Sequence, residues 1–271
     1  MMIADCHMHT WFSSDSEARP EDMIEQAFRL GMKEMCITDH YDMDYPVNPE
    51  TGETEFRLDT PVYWEKILNL QEQYRGRISI RFGVELGLQV HLKERLREYV
   101  SGWPFDFVIG SMHLLDGKDP YYADSFPDMT DEEMYRAYFR ATAENLRSFH
   151  DFQTLGHLDY ATRYGKRKAA GYRCSDYQEE LDEILRLLIE YQIALEINTG
   201  GLKYGLGYPN PHPDIIRRYR ELGGELITIG SDAHEPRHVA CSFDSAAELL
   251  KTLGFRCYAQ FVGRKPVFYS L

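Results

Sequence analysis

The sequence predicts an α/β fold, a distorted, TIM-like (β/α)7 barrel, and three observations carry that prediction. Short apolar runs alternate with longer amphipathic stretches along the whole chain. Seven such alternations imply a parallel sheet, whose strands need helical crossovers. A length of 271 residues is one that α/β barrels fill as a single domain. Seven repeats in place of eight predict an irregular closure, with an open doubly wound sheet as the alternative. No Pro/Gly-rich linker, low-complexity tract or fixed-period repeat divides the chain, so one domain over 1–271 is expected.

The strand candidates are 2–8, 33–38, 78–86, 106–111, 153–157, 193–198 and 225–230. Between them, residues 20–30 open with Pro20, suited to a first helical turn, and stop before Gly31. Stretches 61–74 and 89–100 have looser periodicity. Thr130 and Glu133 form a capping-box signature for a helix to about 149, and Ser175 and Gln178 form another for a helix to about 190. Helices over 213–222 and 243–252 complete the set.

Bulk composition excludes several classes. Hydrophobic residues make up 43% and charged residues 27%, an ordinary globular balance. No apolar run approaches the roughly 18 residues of a membrane span, and the first residues have neither a basic region nor a signal core. A cytoplasmic protein without membrane contact is expected. Cys6, Cys36, Cys174, Cys241 and Cys257 are odd in number and never form CxxC, which argues against a disulfide framework and a thiolate zinc site. Cys6 and Cys36 read as small buried hydrophobes. A net charge of −14 disfavours a nucleic-acid groove, while bound divalent cations would offset part of it.

The informative pattern stands at the strand C-termini: HMHT (7–10), TDH (38–40), GVE (83–85), GSMH (110–113), GHLD (156–159), EIN (196–198) and GSDAH (230–234). In a barrel those ends converge on the face where loops build the active site. Any one histidine among them reads as an ordinary hydrogen-bonded side chain, and Glu85 alone as a cap or a lysine partner. Six of the chain's 10 histidines at these ends read together as a metal centre. His7 and His9 share a face of an extended strand, and Asp232 and His234 repeat that spacing. His91, His150 and His212 read as solvated or turn residues, and no strand places His238.

With HMH and SSDSE, TDH, GSMH with GHLD, and SDAH in this order, the chain resembles the PHP (polymerase and histidinol phosphatase) metallohydrolases over nearly its full length. LEINTGGL (195–202) and ITIGSDAH (227–234) are most similar to the histidinol-phosphate phosphatase branch. The resemblance implies a distorted (β/α)7 barrel, up to three divalent ions, and nine ligands: His7, His9, Asp15, His40, Glu85, His113, His157, Asp232 and His234. Asp39 alternates away from His40 and is expected to orient an imidazole. Nitrogen and oxygen donors suit zinc, manganese or iron.

That branch implies hydrolysis of L-histidinol phosphate to L-histidinol and phosphate, in histidine biosynthesis. A multi-metal site favours a metal-bridging hydroxide as nucleophile, without a covalent phospho-enzyme. His234, Asp232 and His40 are the candidate catalytic residues, with His234 or a metal-bound water as acid. Arg163, Lys203 and Ser14 are the candidate substrate-binding residues, beside Ser13. Arg163 is expected to lean in from the rim, so that its loss leaves metal content unchanged; a surface ion pair is the rival reading. Arginine is commoner than lysine at the position of Lys203 in that branch, and lysine lacks the bidentate fork. Lys166, Arg167 and Lys168 read as a solvated run. The long loop 41–60 covers the site or is a surface insertion. The expected partner is a small phosphorylated substrate, and the expected assembly a monomer or homodimer.

Other readings are another phosphomonoesterase, a phosphodiesterase or nuclease of the same superfamily, an amidohydrolase, or a non-catalytic metal-binding subunit. The acidic chain speaks against a nuclease, the missing bridging lysine against an amidohydrolase, and the full ligand set against a subunit that has lost its chemistry.

Overall fold

The computed structural model describes residues 4–48, 51–122, 124–166 and 171–271. All seven expected strands occur within it: β1 (Ala4–Asp5), β2 (Glu34–Ile37), β4 (Ser79–Gly87), β5 (Phe107–Ser111), β6 (Thr154–Leu155), β7 (Ala194–Asn198) and β8 (Ile227–Gly230). They pair in the order β1-β2-β4-β5-β6-β7-β8, every pair parallel. A short β3 (His40–Tyr41), absent from the sequence reading, also lies parallel on β4 and sets His40 opposite Glu85.

The last seam decides between barrel and open sheet. Among the described residues no ladder joins β1 to β8. Instead Cys6 N–H reaches the Ile229 carbonyl at 3.5 Å, Asp232 N–H the His7 carbonyl at 2.9 Å, and His9 N–H the Ala233 carbonyl at 2.8 Å. An isolated parallel bridge pairs Met8 with Ala233. The barrel therefore closes, and this seam holds its distortion. The strand expected over 2–8 ends at Asp5, its residues 2 and 3 lying outside the described residues, and the Asp5 carboxylate accepts from Ser231 N–H, Ser231 Oγ and Ala240 N–H at the seam.

Among the described residues eight α-helices lie between strands: α1 (Pro20–Arg29), α2 (Thr60–Gln73), α3 (Lys93–Gly102), α4 (Asp131–Ser148), α5 (Gln178–Tyr191), α6 (Gly200–Lys203), α7 (Pro213–Glu221) and α8 (Phe243–Thr252). The Thr130–Glu133 capping box of α4 is formed in both directions. The Ser175–Gln178 box is not. A 3-10 helix over Cys174–Tyr177 takes up Ser175, Tyr177 becomes the N-cap without a side-chain bond, and Gln178 donates to Asp182. The helix expected over 89–100 begins as a separate 3-10 turn, Val90–Leu92.

A hairpin of β9 (Cys257–Val262) and β10 (Lys265–Ser270) escaped the sequence reading. Its two-residue turn, Gly263–Arg264, has φ of 53° and 64°, the doubly left-handed geometry that matches strand twist. Arginine at the second position hides the usual Asn-Gly signal. Ala259 and Phe261 of β9 plug the floor of the barrel against Cys6, Cys36, Phe107, Ile109 and Ala194, with the Phe107 and Phe261 rings stacked at 5.4 Å. Cys6 and Cys36 are buried there. Among the described residues no helix is long and apolar enough to cross a membrane.

Candidate metal centre

Because the strands are parallel, their C-terminal residues meet at one mouth. Glu85, fully buried at the end of β4, stands at its centre. Its Oε2 lies 3.1 Å from His7 Nε2, 3.4 Å from His9 Nε2 and 3.1 Å from His40 Nδ1. Its Oε1 lies 3.3 Å from His113 Nε2 and 2.9 Å from His157 Nε2. One carboxylate thus faces five imidazoles, two of them on one oxygen and three on the other. Burial pushes the Glu85 carboxyl up, but His7, His40 and His113 more than offset this and hold it well below the usual range.

The remaining candidates complete the ring. Asp232 Oδ1 lies 3.5 Å from His9 Nε2 and 3.8 Å from His7 Nε2. Asp15, from the first loop, reaches His234 Nε2 at 3.0 Å and His40 Nε2 at 3.7 Å. Asp232 and His234 would share a strand face only if the strand extended to them, and β8 ends at Gly230. Asp232 instead adopts a left-handed φ of 55°, which aspartate tolerates, and both side chains still face the centre. All nine candidate ligands converge.

Three orienting contacts matter, and sequence reasoning found none of them correctly. His7 Nδ1 donates to Glu196 Oε1 at 2.6 Å, and His113 Nδ1 donates to Asp42 Oδ2 at 2.9 Å. Each carboxylate can only accept, so in the neutral imidazole each directs the Nε2 lone pair toward the centre. Glu196 stood in the EIN strand end and Asp42 two residues past TDH, but neither has ligand-like spacing. Asp39 touches no imidazole. It accepts from Thr10 N–H, Thr10 Oγ1 and Ser13 Oγ, and Ser13 Oγ in turn accepts from His9 Nδ1 at 3.2 Å. Ser13 is thereby buried beneath the histidines, out of reach of a phosphate. Gly230 permits this packing: a Cβ there would lie 2.3 Å from His7 Cβ.

The cationic side chains differ from expectation. Arg163 is 5% exposed, which excludes the surface-pair reading. Its guanidinium donates to Asn210 Oδ1 (2.8 Å), Asp232 Oδ2 (3.2 Å) and Asn198 Oδ1 (3.2 Å), and lies against the rings of Tyr160 and Tyr204. Because it holds a candidate ligand, its loss would not leave the centre untouched. Lys203 Nζ donates to the Asp232 carbonyl at 3.2 Å. Ser14 Oγ accepts from Phe56 N–H and lies at the mouth. All three line one cavity of about 890 Å³ with His40, His113, His157, Asp232 and His234. Tyr45, Asn48, Glu55 and Phe56 of the long loop line it too, so that loop covers the site; its residues 49 and 50 lie outside the described residues. His238, unplaced by any strand, also lines the mouth. Lys166 turns away to the Met129 carbonyl, and Arg167 and Lys168 lie outside the described residues.

The residues present fit a cluster of cations. His7 Nε2 and His9 Nε2 stand 3.1 Å apart, and His9 stacks on His40 and on His234. Glu85 Oε2 and His40 Nδ1 are buried without a hydrogen bond although 3.1 Å apart. Lone pairs aimed at shared points need a cation between them. Among the described residues four overlapping groups bring their donor atoms together: His9–His40–His234, His7–His9–Glu85, Glu85–His113–His157 and His40–Asp42–His113, the last through the Asp42 carboxylate that orients His113. A separate group, Cys174–His212–Asp214, lies elsewhere, and there His212 Nδ1 is taken as the N-cap acceptor of α7.

Residues 5–200 match the PHP domain family. Over 98% of its length the chain is 33% identical to the histidinol-phosphatase of Lactococcus lactis, covering 96% of that protein. It is 33% identical to the probable histidinol-phosphatase of Thermotoga maritima, covering 99% of this chain and all of that one. The crystal structure of histidinol phosphate phosphatase from L. lactis, complexed with zinc, L-histidinol and phosphate, superposes with a TM-score of 0.87 over 97% of this chain and 98% of that one.

Proposed function

The chain belongs to the PHP domain family, and from that premise we propose that it hydrolyses L-histidinol phosphate to L-histidinol and phosphate. The observation that supports this best is the union, in one cavity, of a nine-residue imidazole–carboxylate centre with Arg163 and Lys203. His7, His9, Asp15, His40, Glu85, His113, His157, Asp232 and His234 would hold up to three divalent ions. Zinc is the metal held by the L. lactis relative, and the donor set also suits manganese and iron. Such ions would supply Lewis acidity that activates a water for attack at neutral pH and would offset charge on the phosphoryl oxygens.

The chain's own residues do the rest. Glu85 spans the two sides of the centre and fixes their separation. Glu196, Asp42 and Ser13 hold His7, His113 and His9 in the tautomers that present Nε2. Asp232 joins the centre to Arg163, whose remaining guanidinium N–H groups can hold a phosphate oxygen. His234 Nδ1 is committed to the Asp232 carbonyl at 3.0 Å, so Nε2 alone is left to ligate or to donate a proton. We assign it to ligation with Asp15, which leaves water to protonate the departing alkoxide. Tyr45, Phe56 and the other long-loop residues exclude bulk solvent. The substrate is a small phosphomonoester, met by a cytoplasmic monomer or homodimer.

The test is an assay of phosphomonoesters, phosphodiesters and cyclic amides before and after chelation, with zinc or manganese restored. Histidinol phosphate should be the best substrate, chelation should abolish turnover, and metal should return it. Preference for a diester, or full activity without metal, would overturn the reading.

A further inference from the structure

The cavity is electrically divided, and the barrel topology divides it. Arg163 and Lys203 follow β6 and β7, and Glu235, which lines the cavity after β8, is already paired with Arg237 at 2.9 Å. Tyr45, Glu55 and Asp119 come from the loops after β3 and β5. Strand order puts β4 and β5 on one side of the mouth and β7 and β8 on the other, with the candidate centre between.

Asp119 is the unusual member of the acidic side. It is 6% exposed, yet its partners are all neutral donors: Tyr121 N–H at 2.8 Å and Tyr160 Oη at 3.2 Å on Oδ1, and Tyr45 Oη at 2.7 Å on Oδ2. Among the described residues no lysine or arginine pairs with it. A buried carboxylate without a cation is costly, and burial accordingly raises its pKa. Two carboxylate oxygens offer about four acceptor positions, so one remains. Asp119 stands one ring from the centre, since the Tyr160 ring lies 5.6 Å from His113 and 5.1 Å from His157. No step assigned above uses it.

We propose that Asp119 is a specificity-determining residue that receives an ammonium on the alcohol half of the substrate. Resting on the phosphomonoesterase reading, this defines the preferred class as phosphate esters of cationic amino alcohols. The dianionic phosphate lies toward Arg163 and Lys203, and the ammonium lies toward Asp119 between the rings of Tyr45 and Tyr160. The substrate's cation offsets the buried charge only while the ester is bound.

The experiment compares Asp119→Asn with wild type on histidinol phosphate and on p-nitrophenyl phosphate, which has no amine. Asparagine keeps the acceptor that closes the turn with Tyr121 N–H. KM for histidinol phosphate should rise at least tenfold with a smaller change in kcat, while kcat/KM for p-nitrophenyl phosphate stays within twofold. Inhibition by free L-histidinol should weaken in parallel, and metal content should be unchanged. Tyr45→Phe, which removes one hydroxyl holding Asp119, should shift the same ratio by less. Equal losses on both esters would make Asp119 structural, and no loss on either would make it irrelevant; both overturn the proposal. Wild type inactive on both esters would instead overturn the phosphomonoesterase reading, and this inference with it.

Discussion

At the floor of the barrel, Phe107 and Ile109 of β5 meet Phe261, Ala259, Cys6, Cys36 and Ala194 in an apolar plug. Two residues further along β5, Ser111 donates to Glu85 at 2.6 Å, and from there upward the interior is imidazole and carboxylate. The same strands therefore end in two kinds of order. The floor is held by burial and close packing, which are non-directional and tolerant of exchange among apolar residues. The mouth is held by directed contacts among groups that repel, stack or compete for protons. Such an arrangement stabilises a chain poorly by itself and makes sense as a receptor for cations. Changes at the two ends should therefore separate stability from chemistry.

The largest separation should come from His9→Ala. Metal stoichiometry and turnover should fall together, turnover by three orders of magnitude or more, while urea unfolding of the metal-free protein changes little. A variant that keeps its metal and most of its rate would end the assignment of the mouth. At the floor, Phe107→Ala removes a ring that is 1% exposed and should cost about 3–5 kcal/mol of unfolding free energy. The folded fraction should keep its metal and its kcat, as atomic absorption and active-site titration would show.

Arg163→Ala lies between these extremes, because its guanidinium serves both a ligand and a substrate. It should lose about 2–4 kcal/mol in kcat/KM, and, through the freed Asp232, part of its metal. Unchanged metal content would return Arg163 to the role of a pure phosphate contact. Glu196→Gln should be milder, weakening metal binding about 10–100-fold. Its pH dependence carries a definite sign. Burial lowers the His7 pKa, but Glu196 and Glu85 raise it well above the ordinary value, so a cation must displace a proton there and binding weakens as pH falls. Without the Glu196 charge His7 holds that proton less tightly, and the fall in metal affinity from pH 8 to pH 6 should become shallower. An unchanged slope in metal titrations would remove Glu196 from the coupling.

What the sequence disclosed follows the same division. Strand ends were legible because parallel topology turns seven distant short motifs into one surface, and His7, His40, Glu85, His113 and His157 stand on them. Glu196 and Asp42 were not legible as orienting groups, since their partners lie 189 and 71 residues away and follow no periodicity. Asp39 was read one contact too short, because Ser13 intervenes. The Ser175 cap failed where a 3-10 turn competed for the same backbone, whereas at Thr130 the box with Glu133 closes in both directions. The β9–β10 hairpin was missed because a barrel count ends at its last crossover, while the plug belongs to no repeat.

The seam between β1 and β8 joins residues 223 positions apart with a few single bonds and, among the described residues, no ladder. His7 and His9 stand on one side of it, Asp232 and His234 on the other. During synthesis the N-terminal half of this centre emerges long before its counterpart, so no nascent chain short of the eighth strand can assemble it. Ring closure over so long a segment carries a large entropic cost, and the ligands that straddle the seam make ion capture the clasp of the finished ring. Loading is thereby a late event in the life of each molecule, and a truncated product is barred from acquiring the chemistry at all.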